Sequence, residues 1–305
     1  MKPINKQKGL FLPIACIIIQ NLIFSLGNPL AKIANTEMGT FWCPAVRFLL
    51  AAAVMALVFG RRIFSALRRV SWKKWLPSSL CLATSFVLFN LSIMYASVTA
   101  ASFVNSLSVL ITPAMASLFH GRKYRIAAVP FQLTAIAGLF LLCCNGSAFS
   151  FGAGELCALL SAGCTSGALV FAQGALDEVD PLAITGTQLF CTAAAFTILA
   201  VFLDDVHGVF TAGVSAWLVV LYLGVGCSCL AYFLQNAALG RLHAGSVSML
   251  QSLQTVMTAF FSYLLLDERL TPAGLAGAAL ITAAVLCSSL LDIRANRKAA
   301  AQPQK

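Results

Sequence analysis

The sequence predicts an all-α integral membrane protein of ten transmembrane helices, arranged as two inverted-topology five-helix repeats. Three observations carry that expectation: a composition too apolar for a soluble globule, ten apolar runs joined by short polar links, and polar positions that recur between the two halves. Of the 305 residues, 60% are hydrophobic and only 10% are charged, against about 25% charged in an ordinary soluble domain. A soluble globule of this mass buries only about three quarters of its chain area. The remaining apolar surface has to face lipid.

The apolar runs in the first half are Leu10 to Ala31, Phe41 to Phe59, Trp75 to Ala96, Ala100 to Phe119 and Ile126 to Cys144. Those in the second half are Gly152 to Ala172, Leu182 to Leu203, Ala216 to Leu239, Ala244 to Leu266 and Pro272 to Leu291. Each is close to the roughly 20 residues that cross a bilayer as a helix. The first run follows Lys2, Lys6 and Lys8 as a signal peptide would, but it outlasts an ordinary signal core and reads as the first span. Asp180-Pro181 and Thr271-Pro272 each offer a capping oxygen before a proline suited to the first helical turn.

Seventeen of the 20 Lys and Arg residues fall at the ends that share a face with the N-terminus; Lys32, Arg47 and Arg269 are the exceptions. Basic links mark the cytoplasmic side. Both termini are therefore expected in the cytoplasm and the chain in the cytoplasmic membrane. The links also account for the net charge of +10 without nucleic acid. Asp177, Glu178 and Asp180 fit this scheme least, since it places them on the basic side. The eleven cysteines show no CxxC pattern and read as small apolar residues; no metal or other cofactor is expected.

Five spans per half make the second half enter the membrane the other way up, a hallmark of secondary transporters. Sliding residues 78–142 onto 224–288 superposes Cys81 on Cys227, Asn90 on Asn236, Ser106 on Ser252 and Thr112 on Thr258. It also lays Asn105 on Gln251 and Ser108 on Gln254. A shift of 141 places Ser25 on Ser166 and Arg47 on Gln188. The expected repeats are residues 1–146 and residues 147–305, the latter ending in a short cytoplasmic tail.

An ionisable residue at mid-bilayer costs about 2.5–3.5 kcal/mol on insertion scales, so it marks a functional candidate. Arg47 is the one well inside a run. It either snorkels to the interface as an anchor or faces inward to orient a carboxylate or other anionic group. Ser248, Gln251, Gln254, Thr255, Thr258 and Ser262 recur at spacings of three and four, on one helical face. Ser102, Asn105, Ser106 and Thr112 do the same in the fourth run, with Pro113 interrupting the backbone ladder. Asn90, Asn236, Tyr232, Gln235, Gln20, Asn21 and Asn28 complete the polar set. Such residues glue helices together or line a wet cavity. The expected solute contacts are Arg47, Asn90, Asn105, Tyr232, Asn236, Gln251 and Gln254. No Asp or Glu lies deep in a run; Glu155 comes nearest. A lipophilic cation would want a buried carboxylate, so the solute is expected to be neutral, zwitterionic or anionic.

These residues resemble the EamA-domain proteins of the drug/metabolite transporter superfamily. The resemblance rests on Pro44 with Arg47-Phe48-Leu49-Leu50-Ala51-Ala52, on Gly154-Glu155-Leu156, and on Leu265-Leu266-Asp267-Glu268-Arg269-Leu270-Thr271. It spans the chain and implies alternating access around a cavity lined by helices 1 to 4 and 6 to 9, with helices 5 and 10 peripheral. The first half departs from the pattern, with Gly121-Arg122-Lys123 where the second has Asp267-Glu268-Arg269; the first helix lacks the tryptophan often found there. Substrates of that superfamily range over amino acids, nucleobases, sugars and drugs, so the resemblance names none; with the paired polar stripes, the expected function is an exporter or exchanger of a small polar metabolite, such as an amino acid or nucleobase. Its partners would be the solute, the lipid bilayer and, where flux is coupled, a proton or other ion, in a monomer or homodimer. The alternatives are a multidrug exporter of the same family, a membrane-embedded enzyme or a structural membrane subunit. His120, His207 and His243 sit at run ends and no catalytic motif is evident.

Overall fold

The structure is a computed structural model that describes residues 11–96, 98–120, 126–143, 152–266 and 271–301. Lys2, Lys6 and Lys8, the Gly121-Arg122-Lys123 link, the Asp267-Glu268-Arg269-Leu270 string and Lys305 lie outside the described residues. Among the described residues ten helical spans cross the molecule. They are α1 (Phe11–Met38), α2 (Trp42–Leu67), α3 (Trp72–Tyr95), α4 in two halves (α4a, Val98–Asn105; α4b, Ser108–His120) and α5 (Val129–Cys143, entered by a single 3-10 turn). The second repeat has α6 (Ala153–Ala175), α7 (Pro181–Leu203), α8 (Val214–Leu239), α9 in two halves (α9a, Ala244–Gln251; α9b, Leu253–Leu266) and α10 (Pro272–Ala301). Eight of the ten are long and apolar enough to cross a bilayer by length and composition alone; α5 is shorter, and the break divides α9.

Several helices outrun the apolar stretches that announced them. α1 continues to Met38, α2 passes through Arg61 and Arg62 to Leu67, and α10 runs to Ala301. Hydropathy reports where lipid stops; backbone hydrogen bonding continues into the headgroup region wherever no breaker intervenes. Both expected caps form. Asp180 Oδ1 accepts from Leu182 N at 2.9 Å, and Thr271 Oγ1 accepts from Gly274 N at 3.2 Å.

The repeats interlock rather than sit side by side. α2 packs on α7, α3 on α6 and α7, α1 on α8 and α9b, and α5 on α10, each pair drawn from opposite repeats. α5 and α10 cross at Gly138 and Gly277, where a Cβ on Gly277 would stand 2.4 Å from Gly138 O. In lipid, where apolar burial drives little helix association, such close backbone approach supplies the packing energy.

The acidic link that fitted the charge scheme least turns out to be paired. At the basic face, Arg62 donates to Asp180 through Nε at 3.1 Å, and Lys74 forms an ion pair with Glu178. Both pairs join the first repeat to the second.

At the opposite face a carboxylate from the second repeat caps a helix of the first. Asp204 Oδ2, just past α7, accepts from Phe41 N at 2.9 Å and Trp42 N at 3.3 Å at the start of α2. Trp42 Nε1 also donates, to Asp204 O at 3.3 Å. Gly39, at φ +87°, brings the turn so close that a Cβ there would lie 2.7 Å from Asp204 Oδ2. Removing an N-terminal helix cap costs about 0.5–2 kcal/mol. Asp204→Ala is therefore expected to lower the melting temperature of the detergent-purified protein by a few degrees; an unchanged melt would mean that this cap contributes nothing.

Candidate functional site

α4 and α9 break at matching places. α4 stops at Asn105 and resumes at Ser108; α9 stops at Gln251 and resumes at Leu253. The shift that superposes the repeats carries 105–107 onto 251–253, so each break is the counterpart of the other. At both, the ladder tightens to three-residue hydrogen bonds, Leu107 N to Val104 O and Ser252 N to Met249 O. Serine hydroxyls turn back onto the chain as well, Ser106 Oγ to Ser102 O and Ser252 Oγ to Met249 O, each at 2.7 Å. Serine back-bonding of this kind bends helices.

A broken span is tolerated in lipid only where protein or a polar cavity satisfies the backbone. Here the polar stripe of α1 does so. Asn21 Nδ2 donates to Leu250 O at 2.8 Å, Ser25 Oγ to Gln254 O at 3.0 Å, and Asn28 Nδ2 to Thr258 Oγ1 at 3.1 Å. The other repeat places the equivalent groups together: Ser166, counterpart of Ser25, has its Oγ 3.5 Å from Ser108 O, counterpart of Gln254 O, while its hydroxyl donates to Ala162 O at 2.9 Å. The repeat is thus visible in side-chain placement as well as in residue types.

The two ends of the broken pair differ. Toward the basic face α4b and α9a pack together, with Ser248 Oγ donating to Ser108 O and Gly245 set against Pro113. Gln173 at the end of α6 closes the same end, donating to Leu242 O and accepting from Ala244 N. Toward the opposite face the halves part: α4a packs on α3, α5 and α6, and α9b on α1 and α10. Asn28, on the face of α1 that buries Asn21 and Ser25, is exposed there.

Arg47 faces inward. Its Nε donates to Ser228 Oγ at 2.9 Å, and Ser228 is fully buried in α8. Its terminal amino groups have no acceptor among the described residues, and neither of the ion pairs above involves it. Ser228 lies in a π-helical stretch of α8, Leu223–Ala231. Small residues bring that stretch against its neighbours: a Cβ on Gly224 would lie 3.1 Å from Arg47 O, and one on Gly27 2.5 Å from Cys227 Sγ. π-bulges of this kind often mark functional sites. An aromatic wall flanks the guanidinium. Its carbon lies 5.0 Å from the Phe48 ring centroid, Phe48 meets Phe86 and Phe196, and Tyr232 meets Phe86 and Phe24.

The other candidate residues divide. Asn105 is half-buried at the α4 break, and among the described residues neither its Oδ1 nor the side-chain amide of Gln254, beside the α9 break, has a hydrogen-bond partner. Tyr232 is buried in the aromatic wall. Gln251 Nε2 donates to Gln235 Oε1 at 2.9 Å, an oxygen that Gln20 Nε2 shares at 3.1 Å, so it bridges α1, α8 and α9. Asn236 is committed to Gln188 Oε1 and Thr185 Oγ1 between α7 and α8, though its own Oδ1 is unpartnered. Asn90 is not brought to this group. Its amide holds Thr40 O in the link between α1 and α2, toward the face opposite the basic one.

The pseudo-symmetric counterpart of Arg47 is Gln188, which is fully buried and donates to Ser78 Oγ at 2.8 Å. One half of the site therefore carries an open guanidinium and the other a sealed amide. Ser228 and the rings of Phe24, Phe48 and Phe86 were not among the solute contacts expected from sequence; beside the serine only Cys227 drew notice, as the repeat counterpart of Cys81.

Ten spans in two inverted repeats, with paired broken helices facing each other, define the class of polytopic secondary-transporter folds. The model of the EamA-like transporter family matches the chain twice, over residues 11–144 and 152–290. The chain belongs to that family, and so to the drug/metabolite transporter superfamily. A solved crystal structure superposes with a TM-score of 0.77 at 21% identity, covering 92% of this chain and 98% of that one. At that identity the likeness concerns the fold. No curated protein matches the sequence.

Proposed function

We propose that the protein is a secondary transporter, an exporter or exchanger, that moves a small polar metabolite across the cytoplasmic membrane by alternating access, with its basic face in the cytoplasm. The observation that carries the reading is the matched pair of helix breaks, closed together toward the basic face and parted toward the other. Polar groups of Arg47, Asn105 and Gln254 that have no partner among the described residues accompany them. In this reading the structure is the state open to the outside, and rocking of one repeat against the other opens the cytoplasmic end. Membership of a transporter family favours transport over catalysis.

The test is a thermal-shift screen of detergent-purified protein against amino acids, nucleobases, sugars, organic acids and cationic dyes, followed by counterflow in liposomes for each hit. Saturable exchange of a stabilising polar solute is the expected result. Strong transport of a permanent cation such as ethidium would replace this reading with the multidrug one, and non-saturating flux would argue for a passive pore.

A further inference from the structure

The geometry points to an organic monoanion, a carboxylate carried on an apolar or aromatic body, as the solute class that this site takes. The inference rests on the transport reading for its physiological meaning and on Arg47 for its chemistry.

Arg47 spends one of its five N–H donors on Ser228 and turns the remaining fork to no protein acceptor among the described residues. Two parallel N–H groups in a rigid plane match a carboxylate, which accepts two charge-assisted bonds side by side. Around the fork the surfaces are apolar. The guanidinium carbon lies 5.0 Å from the Phe48 ring centroid, Phe48 and Phe86 meet edge-on at 5.1 Å between centroids, and Phe24 and Tyr232 at 5.4 Å. Walls of this kind fit a hydrocarbon body better than a sugar or an inorganic ion.

Charge balance narrows the class further. A monoanion beside one guanidinium leaves the site neutral, whereas a dianion would leave a net negative charge in a region where an unpaired charge is costly. A zwitterion brings an ammonium as well, and that ammonium finds no carboxylate. Among the described residues Asp292 lies in α10 just past its apolar span, which ends at Leu291; the other acidic residues lie at helix ends or in links, and several are already engaged: Glu155 with Gly152 N, Asp204 with the start of α2, Asp180 with Arg62, Glu178 with Lys74, and Glu37 with Gly213 N. The pseudo-symmetric position offers Gln188, a neutral amide that is already committed. Neither half of the site supplies the missing negative charge.

Four probes that share one phenyl body separate these charge classes: 3-phenylpropanoate, 3-phenylpropanamide, 2-phenylethylamine and phenylalanine. Binding is measured at pH 7 by calorimetry and thermal shift on the full chain in detergent. The expected result is 3-phenylpropanoate binding about tenfold or more tighter than the other three, the scale of a charge-assisted pair. Arg47→Gln should erase that preference. Arg47→Lys, which keeps the charge without the fork, should retain the order of affinities at weaker binding, a pattern that loss of fold would not produce. Phenylalanine or the amide binding as tightly as the carboxylate would overturn the inference, as would binding of none of the four or an unchanged preference in Arg47→Gln. Counterflow separates the two readings. Arg47-dependent carboxylate binding without exchange would sink the transport reading alone, and saturable exchange of phenylalanine with equal affinity would sink this one alone.

Discussion

Replacing Gly277 by leucine is expected to remove most folded protein from the membrane. A Cβ at Gly277 would lie 2.4 Å from Gly138 O and 2.7 Å from Leu142 N, both backbone atoms of α5 that cannot turn aside as a side chain would. The converse substitution, Gly138→Leu, meets Gly277 O at 2.7 Å and Ile281 N at 3.0 Å. Overpacking costs about 1–3 kcal/mol even where neighbours can adjust, and here two helices from opposite repeats would have to separate. Gly163 is the control, because a Cβ there meets nothing within 4 Å. Gly163→Ala in α6 should match or slightly exceed the native melting temperature, as helix propensity dictates. Detergent extraction with size-exclusion chromatography and thermal melts checks all three. Well-folded Gly277→Leu would mean that α5 and α10 do not cross as described.

Replacing Arg47 by alanine is expected to do the reverse, abolishing transport and sparing the fold. Truncating one partner of a hydrogen-bonded charge pair costs about 2–5 kcal/mol, roughly a thirtyfold loss of affinity or more. Stability should not follow. The half-buried guanidinium carries a desolvation cost that one bond to Ser228 offsets only in part. Arg47→Ala should therefore melt at or above the native temperature, as commonly happens where a functional charge is held at the expense of stability. Transport and melting temperature lost together would restore the interfacial-anchor account of this residue.

Much of this fold was legible in the chain because lipid imposes simple rules. Apolar runs located the ten spans, and Asp180 and Thr271 announced helix starts that the structure forms. Helix ends were less legible, since Arg61 and Arg62 end an apolar run without ending α2. The polar stripes of the fourth and ninth runs were visible, but the breaks within them were not: Pro113, expected to interrupt the fourth, lies inside α4b, and the break falls between Asn105 and Ser108. A break depends on whether released carbonyls such as Leu250 O find partners, and that partner, Asn21, is 229 residues away in sequence.

The candidate site was legible residue by residue rather than as a group. Arg47 stood out because charge inside a run is rare, while Ser228 resembles any small buried serine until the π-helical stretch turns it toward Arg47. Asn90 and Asn236 superpose in the repeat yet serve different ends, one holding the α1–α2 link and the other joining α7 to α8. Pattern matching gives equal weight to the two. Only tertiary surroundings separate them.

The most direct test of the rocking mechanism uses nitroxide pairs in a background whose native cysteines are replaced. One pair sits at Ser102 on α4a and Ser262 on α9b, the other at Leu118 on α4b and Arg241 ahead of α9a. Pulsed electron spin resonance, with and without a transported solute, is expected to show reciprocal changes: the first distance shortens as the second lengthens. Two distances that stay fixed in the presence of a solute undergoing counterflow would contradict alternating access by these repeats.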